Sequence, residues 1–312
     1  VTGPLPHPDS VTFAEFSPDG RLLATACSDG AARLWDTSDG HAVGKPLRHD
    51  KELSALEFST NGQWLVTASD DTTAQVWEVH TGQRVGRPLR HEKSVRDATF
   101  SPDSKLVATI SGDFTGRLWN ARTGEPASPP LHHEGVVNTV QFSPDGCWLV
   151  TSSFDKTARI WDVLTGQQHG QPLQHKATVR CAWFSPEGYR VVTASEDGTA
   201  RVWDLKTGKP ITEPFRHRAA VWSAQFSPDG QRVVTASSDK TAQVWEVRPG
   251  QAVSWPRSFG LTLKSTSWSR DGRWVLAVTT GSAFLLNATN VEHRMLLRHR
   301  PGVRFGQFSQ DG

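Results

Sequence analysis

The sequence predicts an all-β fold assembled from copies of one small four-stranded unit. Three observations predict it. A short string recurs at fixed spacing: FSPDG begins at Phe16, Phe142 and Phe226, and close variants begin at Phe58, Phe100, Phe184, Trp268 and Phe308. The first seven starts lie 42 residues apart and the last interval is 40. Each unit also holds four short β-prone runs bounded by Pro, Gly, Asp or Asn, with no helical period. Finally, a strict period of this length marks arrays of stacked supersecondary units. A lone four-stranded sheet cannot bury both of its faces. Stacking such sheets face to face around a ring buries them and leaves only short, protected edges. The expected fold is therefore a β-propeller of four-stranded blades, with seven as the expected blade count.

The fifth unit shows the elements in order. Val179 to Phe184 is a half-buried alternating run that enters the turn Ser185-Pro186-Glu187-Gly188. Tyr189 to Ala194 follows, then a tight turn at Glu196-Asp197-Gly198. Next come Ala200 to Trp203, the turn Lys206-Thr207-Gly208, and a short segment ending near Pro214-Phe215. Carried along the chain, this register gives one domain over 1–312 with blades at about 8–48, 50–90, 92–132, 134–174, 176–216, 218–258 and 260–298. Residues 1–6 and 299–312 read as partial units. Residues 1–6 are also a candidate outer strand for the seventh blade in place of 291–298. The start at Val1 and the stop at Gly312 inside a unit suggest a piece of a longer chain.

Composition narrows the function classes. With 34 basic and 32 acidic residues, the net charge of +2 favours neither nucleic acid nor an anionic membrane. Thirteen Trp stand beside a single Tyr and a single Met, as expected if a Trp-containing unit has been copied. Cys27, Cys147 and Cys181 are odd in number and irregular in spacing, so neither a disulfide framework nor a zinc motif is expected. Free buried thiols are expected and fit a reducing compartment, and no apolar run has signal or membrane length. We expect a cytoplasmic protein with no membrane partner, cofactor, metal or small-molecule substrate.

At this point the residues carry a resemblance. The typical unit has a His before its first strand, then FSPDG or a variant of it, a Ser/Thr, an Asp in the next turn, and Trp-Asp closing the third strand. The last pair is intact at Trp35-Asp36, Trp161-Asp162 and Trp203-Asp204, and softened at Trp77-Glu78, Trp119-Asn120 and Trp245-Glu246. The unit resembles the WD40 repeat over essentially the whole chain. The resemblance implies a hydrogen-bonded set of Trp, Thr, His and Asp within each blade. Six such sets stand in register: His7, Thr25, Asp29 and Trp35; His49, Thr67, Asp71 and Trp77; His91, Thr109, Asp113 and Trp119; His133, Thr151, Asp155 and Trp161; His175, Thr193, Asp197 and Trp203; His217, Thr235, Asp239 and Trp245.

The chemistry suits a structural latch. Indole N–H donates, hydroxyl and imidazole both donate and accept, and carboxylate accepts. A complete network avoids the ~1–3 kcal/mol cost of each unpaired buried polar group. Thr, His and Asp together could instead be read as nucleophile, base and orienter. Six copies at one spacing argue against that reading, because catalytic sites are single and asymmetric. No enzyme is expected, and the in-register His residues are not expected to bind metal. Replacing Asp155 with Ala is expected to destabilise its blade. The seventh unit drops the whole set, with Phe259, Ala277 and Leu286 at the His, Thr and Trp positions. Losing both ends of a buried hydrogen bond costs less than losing one.

The resemblance further implies that partners bind the face carrying the loops before each innermost strand. Positions three and five after each His, and the residue before each turn Asp, should be exposed there. These positions give Glu52, Asp70, Arg96, Asn138, Phe154, Arg180, Glu196, Trp222 and Lys264 as candidate partner-binding residues. Phe154, Arg180, Glu196 and Trp222 come from consecutive units. Exposed Trp, Phe and Arg are the types that dominate interface energetics. The expected function is a non-catalytic scaffold or sensor module that binds a peptide or protein segment. Trp222 would be the apolar anchor, and Arg96, Arg180 and Lys264 would favour an acidic stretch. The packing alternative is that Trp222 and Phe154 only plug a channel or contact neighbours.

Nucleic-acid binding through a partial basic ring of Arg96, Arg180, Lys264 and Arg304 is an alternative, interrupted by Asp70, Glu52 and Glu196. A propeller enzyme is a remoter one. Linkers such as TGQRVGRPLRH resemble the repeat regions of multidomain bacterial signalling proteins, although this stretch holds no P-loop or kinase motif.

Overall fold

The structure is a computed structural model that describes residues 3–248, 257–279, 281–288, 294–298, 306 and 308. Among these there is no helix, and the strands form seven four-stranded sheets, each in simple chain order. The first strands are Val11–Phe16, Leu53–Phe58, Val95–Phe100, Val137–Phe142, Val179–Phe184, Val221–Phe226 and Leu263–Trp268. Pairing within the sheets is antiparallel, as tight turns between successive strands require.

The repeated string builds its turn by side-chain capture. Ser17 donates its hydroxyl to Asp19 Oδ1 at 2.7 Å and accepts the Leu22 N–H at 2.9 Å. Asp19 Oδ1 also accepts the Arg21 N–H. Gly20 then takes a positive φ of 71°, where a side chain costs energy. The third unit has Ser104 at that position with φ 60°, so its FSPDS string makes the same turn under some strain.

The turn between second and third strands has a related demand. The residue after the turn Asp is left-handed in all six units that carry the motif: Gly30, Thr72, Phe114, Lys156, Gly198 and Lys240. Glycine occupies only two of these positions. The other four hold side chains at a cost of about 1 kcal/mol each.

The chain divides into two compact units, one of residues 1–149 with 161–168, the other of residues 150–160 with 169–312. In unit 1, apolar layers lie between successive sheets. Trp77 of the second sheet packs with Ala24, Ala26 and Leu34 of the first, and Trp119 of the third packs with Val66, Ala68 and Val76 of the second. In unit 2, Trp245 joins Val192, Ala194 and Val202 of the fifth sheet and stacks on Phe215 at 5.0 Å. Each Trp so placed is nearly fully buried, which makes it a large contributor to the hydrophobic term.

The outer strand of the seventh sheet is Arg294–Arg298, paired with Ser282–Asn287 from Ser282↔Arg298 to Leu286↔Arg294. This corrects the expectation that residues 1–6 would take that place. The described part of that stretch forms no strand, and the Leu5 carbonyl is occupied by His7. The partial unit expected at 299–312, including Arg304, lies outside the described residues apart from positions 306 and 308.

Candidate functional site

The latch residues meet as follows. In the second, third, fifth and sixth sheets the indole N–H of Trp77, Trp119, Trp203 or Trp245 donates to the threonine Oγ1 at 2.8 Å. That threonine stands 2.7 Å from the histidine Nε2. The histidine Nδ1 stands 2.8–3.0 Å from the aspartate Oδ2. Only one tautomer gives every donor an acceptor: Nδ1–H donates to the carboxylate and Nε2 accepts from threonine. Desolvation lowers the pKa of His49 and His217 despite their aspartates, which agrees with a neutral ring. Burial works to raise the pKa of Asp113 and Asp197. Hydrogen bonds from histidine and from Thr115 or Thr199 outweigh it and hold both carboxyls below the ordinary range. In the fourth set, His133 and Trp161 lie 6.0 Å apart, and Asp155 accepts the Thr157 hydroxyl at 2.6 Å.

The first set differs from expectation. His7 Nε2 meets Thr25, but its Nδ1 donates to the Leu5 carbonyl at 3.0 Å and not to Asp29. Asp29 is taken by the Arg33 guanidinium, with Nη1 at 3.1 Å. The physical reason is local. The other five sets have a threonine two residues after the aspartate, whose hydroxyl occupies one carboxylate oxygen; here that residue is Ala31. The oxygen left open is captured by Arg33, and a two-point charge-assisted pair outcompetes a neutral imidazole N–H.

The candidate partner positions are set by a bulge. In six sheets the register shifts across the residue five after the His position: Thr12, Ser54, Arg96, Arg180, Trp222 and Lys264. An extra residue in one strand is unpaired and re-aims its side chain. The bulge supplies the common geometry at this position, whatever the residue type.

Within unit 2 three bulge residues converge. The Trp222 ring has the Arg180 guanidinium 4.3 Å and the Lys264 ammonium 3.9 Å from its centroid. Its N–H donates to Ser238 Oγ. Arg180 also lies 5.3 Å from the Phe154 ring and is tied to Glu196, its Nε donating at 2.9 Å. Cation–aromatic contacts of this kind contribute roughly 0.5–2 kcal/mol each, more when desolvated. The indole is thus a cation-clad pillar and not the open apolar anchor that the sequence suggested. The Arg180 charge is largely spent on Glu196. Phe154, at 39% exposure, leaves part of this cluster's apolar surface open to water, and Leu261, three residues before Lys264 in the chain, is 47% exposed.

The remaining candidates belong to unit 1. Arg96, Asp70 and Glu52 are exposed, with Glu52 accepting the Ser28 hydroxyl at 2.8 Å, and Asn138 is half-buried. Lys93 lies over Phe114 at 5.4 Å, a cation–aromatic pair that the register did not single out.

Sequence reasoning also missed three carboxyls on the first strands of unit 1. Glu15 accepts the Phe58 N–H at 3.0 Å, and Glu57 accepts the Phe100 N–H at 2.9 Å, so each bridges to the next sheet. Asp97 lies on the third such strand. All three touch water yet are densely surrounded by protein. Burial, with mutual repulsion added for both glutamates, pushes Glu15 to about 7, Glu57 to about 8 and Asp97 to about 7. The available signal was an acid eight residues after the His, repeated at Glu15 and Glu57. Among the described residues no group of three or more His, Cys, Asp or Glu could hold a metal ion. Nor is any helix among them long and apolar enough to cross a membrane. All three cysteines are free thiols; Cys27 and Cys181 are buried, but Cys147 is exposed, against expectation, because it directly follows the surface turn Ser143–Gly146.

Small four-stranded antiparallel sheets in series, each in simple chain order, define a repeat protein of the β-propeller class. The chain belongs to the WD40 family: the pattern "WD domain, G-beta repeat" matches residues 3–36, 43–78, 82–120, 128–162, 167–204 and 208–246. Proteins of this family generally mediate protein–protein interaction. Among solved structures the chain is similar to a computationally designed protein, Ika8, with a TM-score of 0.87 and 24% identity over 99% of this chain and 93% of that one. That likeness speaks for the fold alone. No curated protein matches the chain.

Proposed function

We propose that this chain is a non-catalytic scaffold or sensor module, cytoplasmic and bacterial, that serves a larger signalling assembly. It would hold a peptide or protein segment against the loop end of unit 2. One observation carries the reading. Trp222, Arg180, Lys264, Phe154 and Glu196 occupy variable positions in a strict repeat, yet they make one continuous cluster. A partner segment would rest on the exposed edge of Phe154 and on Leu261, over the pillar formed by Trp222. The Thr–His–Asp sets are latches in this reading, since they recur with the same bond lengths in sheet after sheet.

The test is a displayed peptide library selected on the immobilised chain. Enriched peptides should bind the Trp222→Ala, Arg180→Ala double variant at least ~10-fold more weakly, the usual size of a strong interface contact. The circular dichroism of the variant should match the parent. Retention of full affinity by a folded double variant would place the binding surface elsewhere.

A further inference from the structure

The loop end of unit 2 carries an uneven charge that the repeat does not require. Hydrogen bonds knit its loops and turns into one surface. The Glu196 N–H donates to the Thr178 carbonyl and Ser238 N–H to Ala220, at 2.9 and 2.8 Å. The His175 N–H donates to the Lys156 carbonyl, and Phe259 N–H to Lys240. On that surface Lys156, Lys176, Arg218 and Lys240 are exposed, and Lys264 is half-buried against Trp222. Among the described residues none of these five has an ion-pair partner.

The carboxylates there are of two kinds. Asp155, Asp197 and Asp239 turn inward. Asp197 and Asp239 each bond a histidine, and they also accept the backbone N–H of Lys176 and Arg218. Glu196 is engaged with Arg180. Among the described residues no carboxylate on this surface is left to balance the five cations.

Two comparisons show that the pattern is particular to unit 2. The residue after the His is Asp50, Glu92 and Glu134 in three units, but Lys176 and Arg218 in the next two. At the left-handed turn position unit 1 has Gly30, Thr72 and Phe114, whereas unit 2 has Lys156, Gly198 and Lys240. A side chain is tolerated there against the local backbone preference. In unit 2 that side chain is a cation both times.

We propose that the loop end of unit 2 recognises an acidic peptide segment, bound through Lys156, Lys176, Arg218, Lys240 and Lys264. This rests on the interaction-module reading above and names the chemistry of the partner. Charge complementarity of this kind steers encounter and excludes wrong partners. A single-stranded nucleic acid would also be drawn to the cations, but it gains affinity by stacking bases on open aromatic faces. Here the Trp222 ring is clad by Arg180 and Lys264, and Phe154 already faces Arg180. Carboxylates need no such platform.

The test uses the full chain and three fluorescein-labelled probes: a peptide of alternating Glu and Ser, the same peptide with Gln for Glu, and a uridine oligonucleotide. Binding is read by anisotropy at low and at physiological salt. The acidic peptide should bind best and weaken steeply with salt. The triple variant Lys176→Glu, Arg218→Glu, Lys240→Glu should weaken it at least ~10-fold, and the matching triple Gln variant should do so less. Lys105→Glu, at the opposite end of a strand, should leave it unchanged. Circular dichroism checks that each variant folds.

The proposal would be overturned by equal binding of the Gln peptide, by full binding of the folded triple Glu variant, or by tighter binding of the oligonucleotide. Absence of acidic-peptide binding at low salt would do the same. Gln-peptide binding that is lost in the Trp222→Ala, Arg180→Ala variant would leave the interaction-module reading standing while removing the acidic partner.

Discussion

The carboxylate of each latch decides what the other three residues are worth. Asp113 accepts bonds from His91, from the Glu92 backbone N–H and from Thr115. His91 is 7% exposed, so its Nδ1–H has no route to water if the acceptor goes. Asp113→Ala should therefore cost about 1–3 kcal/mol, the penalty of stranding buried donors. Asp113→Asn keeps one acceptor oxygen and should recover part of that loss. Urea denaturation of the two variants checks this, and equal midpoints for parent and alanine variant would rule it out. The first set teaches the same lesson from the other side. One missing hydroxyl, at Ala31, leaves Asp29 to Arg33 and sends His7 to a backbone carbonyl.

At the scale of the element, the seventh sheet shows that the latch is dispensable when it is removed whole. Phe259 meets Phe284 at 4.7 Å, and Ala277 and Leu286 stand where the latch threonine and tryptophan stand elsewhere, in one apolar layer with Trp268. Its strands keep the usual antiparallel register, with the bulge at Lys264. Putting back one latch residue should harm this sheet. Phe259→His would set an imidazole beside Ala277, which has no hydroxyl, and would forfeit the ring contact. A loss of about 1–3 kcal/mol is expected. Thermal unfolding by calorimetry measures it, and an unchanged or higher Tm would show that the apolar layer is not selective.

For the whole molecule the main consequence of the buried acids is a pH dependence of stability. Glu15, Glu57 and Asp97 have folded-state pKa values raised to about 7, 8 and 7. A raised pKa means that the folded state holds its proton more tightly than the unfolded chain. The contribution is then fully present below about 4.5 and is lost as pH climbs through the folded value. His49 and His217 act oppositely, since a lowered pKa costs stability only as pH falls below about 6.5. Between about pH 6.5 and 8.5 the carboxyls dominate, so Tm should fall across that window. Glu57→Gln removes the largest of the three shifts. Its amide oxygen can still accept the Phe100 N–H, as Gln225 does for Trp268 at 3.3 Å. The variant should gain about 1–2 kcal/mol at pH 8.5 and little at pH 5, less than the full shift implies because the group touches water. A parent Tm that is flat or rising from pH 6.5 to 8.5 would contradict this.

The amino-acid order alone determined the repeat, the four strands per unit, the latch positions of the second, third, fifth and sixth sheets, and the apolar seventh sheet. Each follows from a local signal: turn chemistry every 42 residues, period-two alternation, or a polar residue at a fixed offset. The same register also picked out Trp222, Arg180 and Lys264 as variable positions on a shared face. It could not say what those side chains touch. Only the folded chain decided that a bulge aims them together and that two cations clad the indole. It also decided that Glu196 absorbs the Arg180 charge, that three acids are crowded on neighbouring strands, and that Arg294–Arg298 closes the seventh sheet. The reason is physical. Local propensity is written residue by residue, but cation–aromatic contact, desolvation and strand pairing depend on groups from different strands, and those distances exist only once the strands have paired and the sheets have packed.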